Sequence, residues 1–242
     1  REKYRNRIYF EAFRGDQHKP ILCIKPAPRK KKRNNFTIRI HTIIPDKIFK
    51  PSRLLPSRNN IEIISDDNTK ETKPSPHRNN AILEDLLSVQ HLTKLHEKIT
   101  ECPAIIDAIL LCKVWLRQRN LDSDDGLNGF QISMLMLFLI KRRQLNIQMS
   151  SYQLFRVTLN YLTTDELLKG ISLSDEPAEK ISVFCEAFSV VFLDHSGRLN
   201  LTSRMSTGAF KEIQYEATLA MQYLNENSTN GFQSLFLQPI PF

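Results

Sequence analysis

Cys102-Pro-Ala-Ile-Ile-Asp-Ala-Ile-Leu-Leu-Cys-Lys-Val-Trp-Leu-Arg-Gln-Arg119 decides how the second half of this chain folds. Ala104, Ala108, Leu111 and Trp115 recur at helical spacing, and Ile105, Ile109, Cys112 and Leu116 form a second stripe beside them. Two adjacent apolar stripes make a face too broad for a surface helix, so the segment is read as a central, buried one. Pro103 suits the start of such a helix, where no N–H is needed. Arg117 and Arg119 suit its end, where unpaired carbonyls concentrate negative charge.

Working outward, the helical period extends in both directions. Leu83, Leu86 and Leu87, then Leu92, Leu95 and Ile99, predict a preceding helix packed on one face. After the polar turn Asp122-Ser-Asp-Asp-Gly-Leu-Asn-Gly129, the segment Phe130–Arg143 is apolar nearly all round. Further helices are expected at 151–163, 165–169 and about 206–226, the last with Phe210, Ile213, Ala217, Met221 and Leu224 at spacings of three and four. Ala187-Phe-Ser-Val-Val-Phe-Leu193 and Arg198-Leu-Asn-Leu-Thr202, joined by Asp194-His-Ser-Gly197, read as a β-hairpin.

The first 60 residues follow a different period. Pro20-Ile-Leu-Cys-Ile-Lys25 and Phe36-Thr-Ile-Arg-Ile-His-Thr-Ile-Ile44 are β-branched runs, and in the second Thr37, Arg39 and His41 alternate with Phe36, Ile38 and Ile40. Period two predicts a half-covered strand. Three prolines in 45–56 end the strand pattern, and Ile61-Glu-Ile-Ile64 is a candidate edge. Residues 65–80 hold no large apolar side chain and read as a linker. The expected organisation is therefore α+β: a sheet domain over 1–64, a linker over 65–80 and a mainly helical domain with a β-hairpin over 81–242.

Charge divides the same way. Residues 1–60 carry 17 Lys/Arg against 4 Asp/Glu, a balance of +13, whereas the remainder carries 17 against 22, a balance of −5. Any polyanion would be met by the N-terminal part. Its densest cluster is Arg29, Lys30, Lys31, Lys32 and Arg33, read either as an RNA-phosphate contact or nuclear import signal, or as a solvated loop. With 7 glycines in 242 residues, a Gly-rich phosphate loop is hard to assemble. The four cysteines form no CxxC pair, and reduced thiols of the cytosol or nucleus are expected. The longest apolar run, Ile132–Ile140, is too short to span a bilayer, so no membrane partner is expected. The chain begins without Met or a leader, which reads as an interior piece of something longer.

Candidate chemistry is sparse. His91 and His96 are five apart, which misses the spacing of a helical metal pair, and surface positions are expected for both. Asp194-His195-Ser196 holds the residue types of a hydrolase triad, but neighbours in one tight turn cannot converge, so turn chemistry is the reading. Asp122, Asp124 and Asp125 suit either a divalent cation or the cap of the next helix, the cap being favoured. No catalytic residue, metal ligand set or cofactor is assigned.

Several ordered motifs carry a family resemblance. Cys102–Arg119, Asp125-Gly-Leu-Asn-Gly-Phe-Gln-Ile-Ser-Met-Leu-Met136, Ser150-Ser-Tyr-Gln-Leu-Phe-Arg156, Arg198-Leu-Asn-Leu-Thr-Ser-Arg-Met205 and Phe232-Gln-Ser-Leu-Phe-Leu237 resemble the Nrap family, the nucleolar RNA-associated proteins. Phe36–Ile44 and Lys50-Pro-Ser-Arg-Leu-Leu-Pro-Ser-Arg-Asn-Asn-Ile61 extend the likeness backward. The resemblance implies tandem modules similar to poly(A) polymerase and oligoadenylate synthetase, each pairing a nucleotidyltransferase-like sheet with a helical domain. This chain would supply the later strands of the first sheet and its helical partner. It further implies residence in the nucleus and nucleolus. The partners implied are precursor rRNA and other proteins of the small-subunit processome, for 18S rRNA processing, with catalysis lost. The residues can be asked the same question independently. Two-metal nucleotidyl transfer needs carboxylates on the sheet, and residues 19–45 contain no Asp or Glu. The strand Phe36–Ile44 offers Thr37, Arg39 and His41 where an acid is required. The alternatives are an active, divergent poly(A) polymerase piece and a bare RNA-binding domain.

Overall fold

The computed structural model describes residues 7–13, 16–26, 36–43, 45, 48–60, 73–175, 178–225 and 231–236. The chain divides into two compact units, Arg1–Asp46 and Lys47–Phe242.

The first unit is a three-stranded antiparallel sheet in sequential order, β1 (Arg7–Phe13), β2 (Asp16–Lys25) and β3 (Ile38–Ile40). Register places Phe10 opposite Leu22 and Leu22 opposite Ile40, with Ile8, Ile24 and Ile38 in the next row. Because cross-strand neighbours share a face, one side of the sheet is apolar. The other carries Tyr9, Glu11, Cys23 and Arg39. The expectation of a half-covered β3 is not met: Ile38, Arg39 and Ile40 are all exposed, and Ile8 and Phe10, which share the side of Ile38 and Ile40, are exposed at 64% and 72%. Cys23 and Ile21 on the mixed face are buried instead. The apolar alternation is therefore real, but β3 is exposed along both faces.

In the second unit a short 3₁₀ turn, Pro51–Arg53, precedes α1 (Pro76–Glu101). Asn60 and Asn79 clasp the two sides of this junction. The Asn60 amide donates to the Asn79 side-chain oxygen at 2.7 Å, and Asn79 donates to the carbonyls of Leu55 and Arg58, both at 2.8 Å. Residues 48–60 thus pack with the helices. Of the linker expected at 65–80, residues 65–72 lie outside the described residues, as does Ile61–Ile64.

The helices are α2 (Ala104–Gln118), α3 (Gly129–Lys141), α4 (Ser151–Leu162), the single turn α5 (Glu166–Lys169), α6 (Ala178–Ala187), α7 (Thr207–Asn225) and α8 (Gly231–Phe236). Both expected stripes of α2 face inward, with Ile105, Ala108, Cys112, Trp115 and Leu116 buried between α3 and α4. α3 is buried from Gln131 to Leu139. Its N-terminus is capped by Asn128, whose side chain accepts from the backbone N–H groups of Phe130 and Gln131 while Gln131 reciprocates. The cap is therefore Asn128 and none of Asp122, Asp124 or Asp125, since the reciprocal box needs a cap residue three before a Gln or Glu. α1 is one continuous helix whose first half is buried at Leu83, Leu86 and Leu87, but Leu92 is exposed.

The expected hairpin exists in reduced form. α6, absent from the sequence reading, runs through Ala187 and buries Phe184 and Phe188 with Val191 and Leu193. Strand β5 (Phe192–Leu193) pairs in parallel with β4 (Ile171–Ser172), and the antiparallel contact shrinks to one bridge, Leu193 to Asn200. The turn between them is as expected, with Gly197 at φ +66°. Gly170 ends α5 at φ +85°, and a Cβ there would lie 2.7 Å from Ile181 Cγ2. Gly170→Ala is expected to cost about 1–3 kcal/mol through strain and overlap, measured as a lower denaturation midpoint at unchanged slope.

No described helix is long and apolar enough to cross a membrane. Among the free cysteines, Cys23, Cys102 and Cys112 are buried and Cys185 is exposed. Burial pushes the Cys112 thiol far above its ordinary range. Native chain is expected to react with a thiol reagent at Cys185 first, with the other three labelled only on unfolding, as read by mass spectrometry of timed aliquots.

Candidate functional sites: the polar sheet face and a buried histidine cluster

The polar face of the sheet carries Tyr9, Glu11, Cys23 and Arg39. β3 places Arg39 opposite Cys23, and β1 places Glu11 one row away. Arg39 Nε donates to Glu11 Oε2 at 3.2 Å, an exposed ion pair spanning the sheet. The Cys23 thiol and the Arg39 guanidinium hold the Glu11 carboxyl below its ordinary range. His41 packs edge-on against Phe13, with ring centroids 5.2 Å apart. The described strand position expected to lack an acid therefore carries a cation, and the one described carboxylate on β1 is already neutralised by it. A dication at this face would meet a guanidinium at short range, which Coulomb repulsion opposes. Arg29–Arg33 lie outside the described residues.

A second constellation lies in the helical unit. His91 of α1, expected at the surface, is 2% exposed. The turn after β5 brings Asp194 to it, with Nε2 to Oδ2 at 3.0 Å. Asp194 is also the turn's anchor. Its Oδ1 accepts from Ser196 Oγ at 2.7 Å and from the backbone N–H groups of Arg198 and Leu199 at 3.3 and 3.2 Å. Burial pushes the carboxyl up, but the hydrogen bonds from His91, Ser196 and Leu199 outweigh it and the net direction is down. His195 stands edge-on to His91, ring centroids 5.1 Å apart, with Nδ1 3.7 Å from Asp194 Oδ2. Burial, opposed by Asp194 and aided by the nearby His91, Lys94 and Arg198, pushes His195 below its ordinary range and favours the neutral ring. Both His195 ring nitrogens are buried without a hydrogen-bond partner among the described residues. His96 is exposed, as expected. The turn reading of Asp194-His195-Ser196 holds, but the sequence gives no sign that the turn meets His91, 103 residues away.

An open cleft of about 490 Å³ is lined by Phe138, Arg142, Asn160, Tyr161 and Glu166 among others. Arg142 sits over the Phe138 ring at 5.3 Å. Burial, with Glu166 nearby, pushes the Tyr161 hydroxyl up to about 12.

Known proteins place this architecture. The family described as Nrap protein domain 1 matches residues 1–101, and the Nrap protein PAP/OAS-like domain matches residues 104–239. The chain belongs to the Nrap family. The Nrap chain is 39% identical to nucleolar protein 6 of Xenopus laevis over 246 aligned residues, and 37% identical to that of Homo sapiens. Each alignment covers 97% of this chain and 21% of the relative, so the chain spans about a fifth of their length. Among solved structures, a cytoplasmic RNA terminal U-transferase superposes with a TM-score of 0.58 at 14% identity, over 99% of this chain and 73% of that one. Cid1 in complex with a UTP analogue gives 0.58 at 12% identity, over 96% and 73%. At such identities these neighbours show the fold alone. The fold class is the expected one, a nucleotidyltransferase-like sheet followed by a mainly helical PAP/OAS-like domain.

Proposed function

We propose that this Nrap chain is a non-catalytic scaffold module of ribosome biogenesis. It resides in the nucleolus, within the nucleus, as part of the small-subunit processome, where it contacts precursor rRNA and other processome proteins for 18S rRNA processing. The relatives' name supports the nucleolar residence. The observation that supports the loss of catalysis is the Arg39–Glu11 pair at 3.2 Å, in which the one described carboxylate of β1 is engaged by a cation from β3, a strand with no acid of its own. The fold has kept its sheet and helical partner, which serve binding as well as chemistry.

Polymerase and U-transferase neighbours favour a second reading, an active terminal transferase. Primer extension separates the two: the protein is incubated with Mg²⁺ or Mn²⁺, ATP or UTP and a labelled RNA primer. No added nucleotide is the expected result, and a product ladder overturns the scaffold reading.

The basic half supports RNA contact. Replacing Arg29, Lys30, Lys31, Lys32 and Arg33 together with alanine is expected to weaken binding to single-stranded RNA. It should also flatten the slope of log K against log salt by about 0.7 for each phosphate left unneutralised, up to about 3.5. Binding by filter retention at four salt concentrations reads both. An unchanged slope removes these five residues from the RNA interface.

A further inference from the structure

We propose that His91, Asp194 and His195 form a binding site for a divalent transition-metal ion, with zinc the best fit to the donors. Two imidazoles and one carboxylate are the ligand types zinc takes, with a fourth position left for water. The donor atoms already converge: all lie within 4.8 Å of one another, and the two distances to Asp194 Oδ2 are 3.0 and 3.7 Å. Zinc bonds of about 2.0–2.2 Å at tetrahedral angles separate neighbouring ligand atoms by roughly 3.2–3.5 Å. The two distances to Asp194 Oδ2 straddle that range, and the separation of the two histidine donors is no more than 4.8 Å.

Three further features are those of a built site. Asp194 is locked from behind, since Ser196, Arg198 and Leu199 all engage Oδ1 and leave Oδ2 aimed at the histidines. Such outer contacts orient ligands in known metal sites. Phe130 flanks His91, ring centroids 5.5 Å apart, and helps keep the site dry. Most telling is His195. Its two buried nitrogens find no hydrogen-bond partner among the described residues, although an unmet buried polar group costs about 1–3 kcal/mol. A metal ion would engage the Nδ1 lone pair. Lys94 and Arg198 set a positive field around that ring. The same field opposes a dication, and the Asp194 carboxylate is the group that offsets it. If the cluster has only a structural role, His91 and Asp194 form an ordinary buried pair, and His195 only packs edge-on against His91.

The test uses the whole chain, stripped with a chelator, with Cys185→Ser introduced to remove the exposed thiol as a competing ligand. Zinc is expected to bind at one equivalent by elemental analysis after gel filtration and to raise the melting temperature. Co²⁺ is expected to produce the visible absorption of a four-coordinate site. His195→Gln should weaken zinc binding at least about 100-fold, beyond the 10–100-fold typical of losing an outer partner. His96→Gln, exposed on the same helix, should change nothing. A wild-type chain that retains no zinc and whose melting temperature zinc does not move overturns the proposal, whatever the variants do. Equal zinc affinity in His195→Gln, folded by circular dichroism, overturns it as well.

Discussion

Asp194→Ala is expected to destabilise the helical unit by about 3–5 kcal/mol, well beyond the effect of an ordinary surface substitution. Removing this buried carboxylate costs that much because the groups that donate to it stay buried and unmet, at about 1–3 kcal/mol each. Here the orphaned partners are several: His91 Nε2, Ser196 Oγ and the N–H groups of Arg198 and Leu199. In a domain of this size each kcal/mol lowers the melting temperature by about 2–4 °C. Asp194→Asn should be much milder in metal-free protein. Its side-chain oxygen still serves the turn, and its amide can donate to a His91 ring that has exchanged tautomers. Guanidinium titration of both variants checks this. Equal losses in the two would show that negative charge, more than hydrogen-bond geometry, holds the turn against α1.

Asn200→Ala carries the second large effect, expected at about 3–5 kcal/mol. Asn200 is fully buried and its amide satisfies three backbone groups: its Nδ2 donates to the Val190 carbonyl at 2.9 Å, and its Oδ1 accepts from the N–H groups of Phe192 and Thr202 at 2.9 and 3.1 Å. Alanine leaves the Phe192 and Thr202 N–H groups without that partner, at about 1–3 kcal/mol for each unmet group, while the Val190 carbonyl keeps Thr202 Oγ1 at 3.0 Å. The Asn200 backbone is in turn held by Asn80 of α1, which accepts from its N–H at 2.8 Å and donates to its carbonyl at 3.0 Å. Asn80→Ala should therefore be costly too, and the double variant should lose less than the two singles together, since both act on one network. Strict additivity in that cycle would show two independent sites.

These two residues mark how far one-dimensional reading reached. The helices of the second half were legible because their apolar residues recur with the helical period over ten or more positions, as at Ala104–Gln118 and Gly129–Lys141. The turn at Asp194–Gly197 was legible because Asp, Ser and Gly have local reasons to be there. α6 was not. Its last residues, Cys185 to Ala187, run straight into Phe188–Leu193, and a short apolar run does not by itself separate helix from strand. The exposure of β3 along both faces was also hidden, since alternation identifies two faces without saying whether either is covered.

The candidate site divides along the same line. Arg39 on a strand without a neighbouring acid could be read from sequence, because a missing carboxylate is a property of one short segment. That Arg39 reaches Glu11 needed the pairing of three strands. The His91–Asp194–His195 cluster was beyond sequence entirely: its spacing of 103 residues obeys no local period, and His91 alone on a helix reads as a surface residue.

What the residues determine unaided is period, charge distribution and local turn chemistry, since each depends on neighbours within a few positions. These placed the chain in its fold class and gave its N-terminal half an excess of positive charge. Tertiary structure alone decided that β3 is exposed along both faces, how the stretch from Val190 to Thr202 is tied to α1, and which distant polar groups are buried together. The physical reason is that burial and hydrogen-bond satisfaction are properties of assembled surfaces. A side chain acquires its partner only when separate segments have packed.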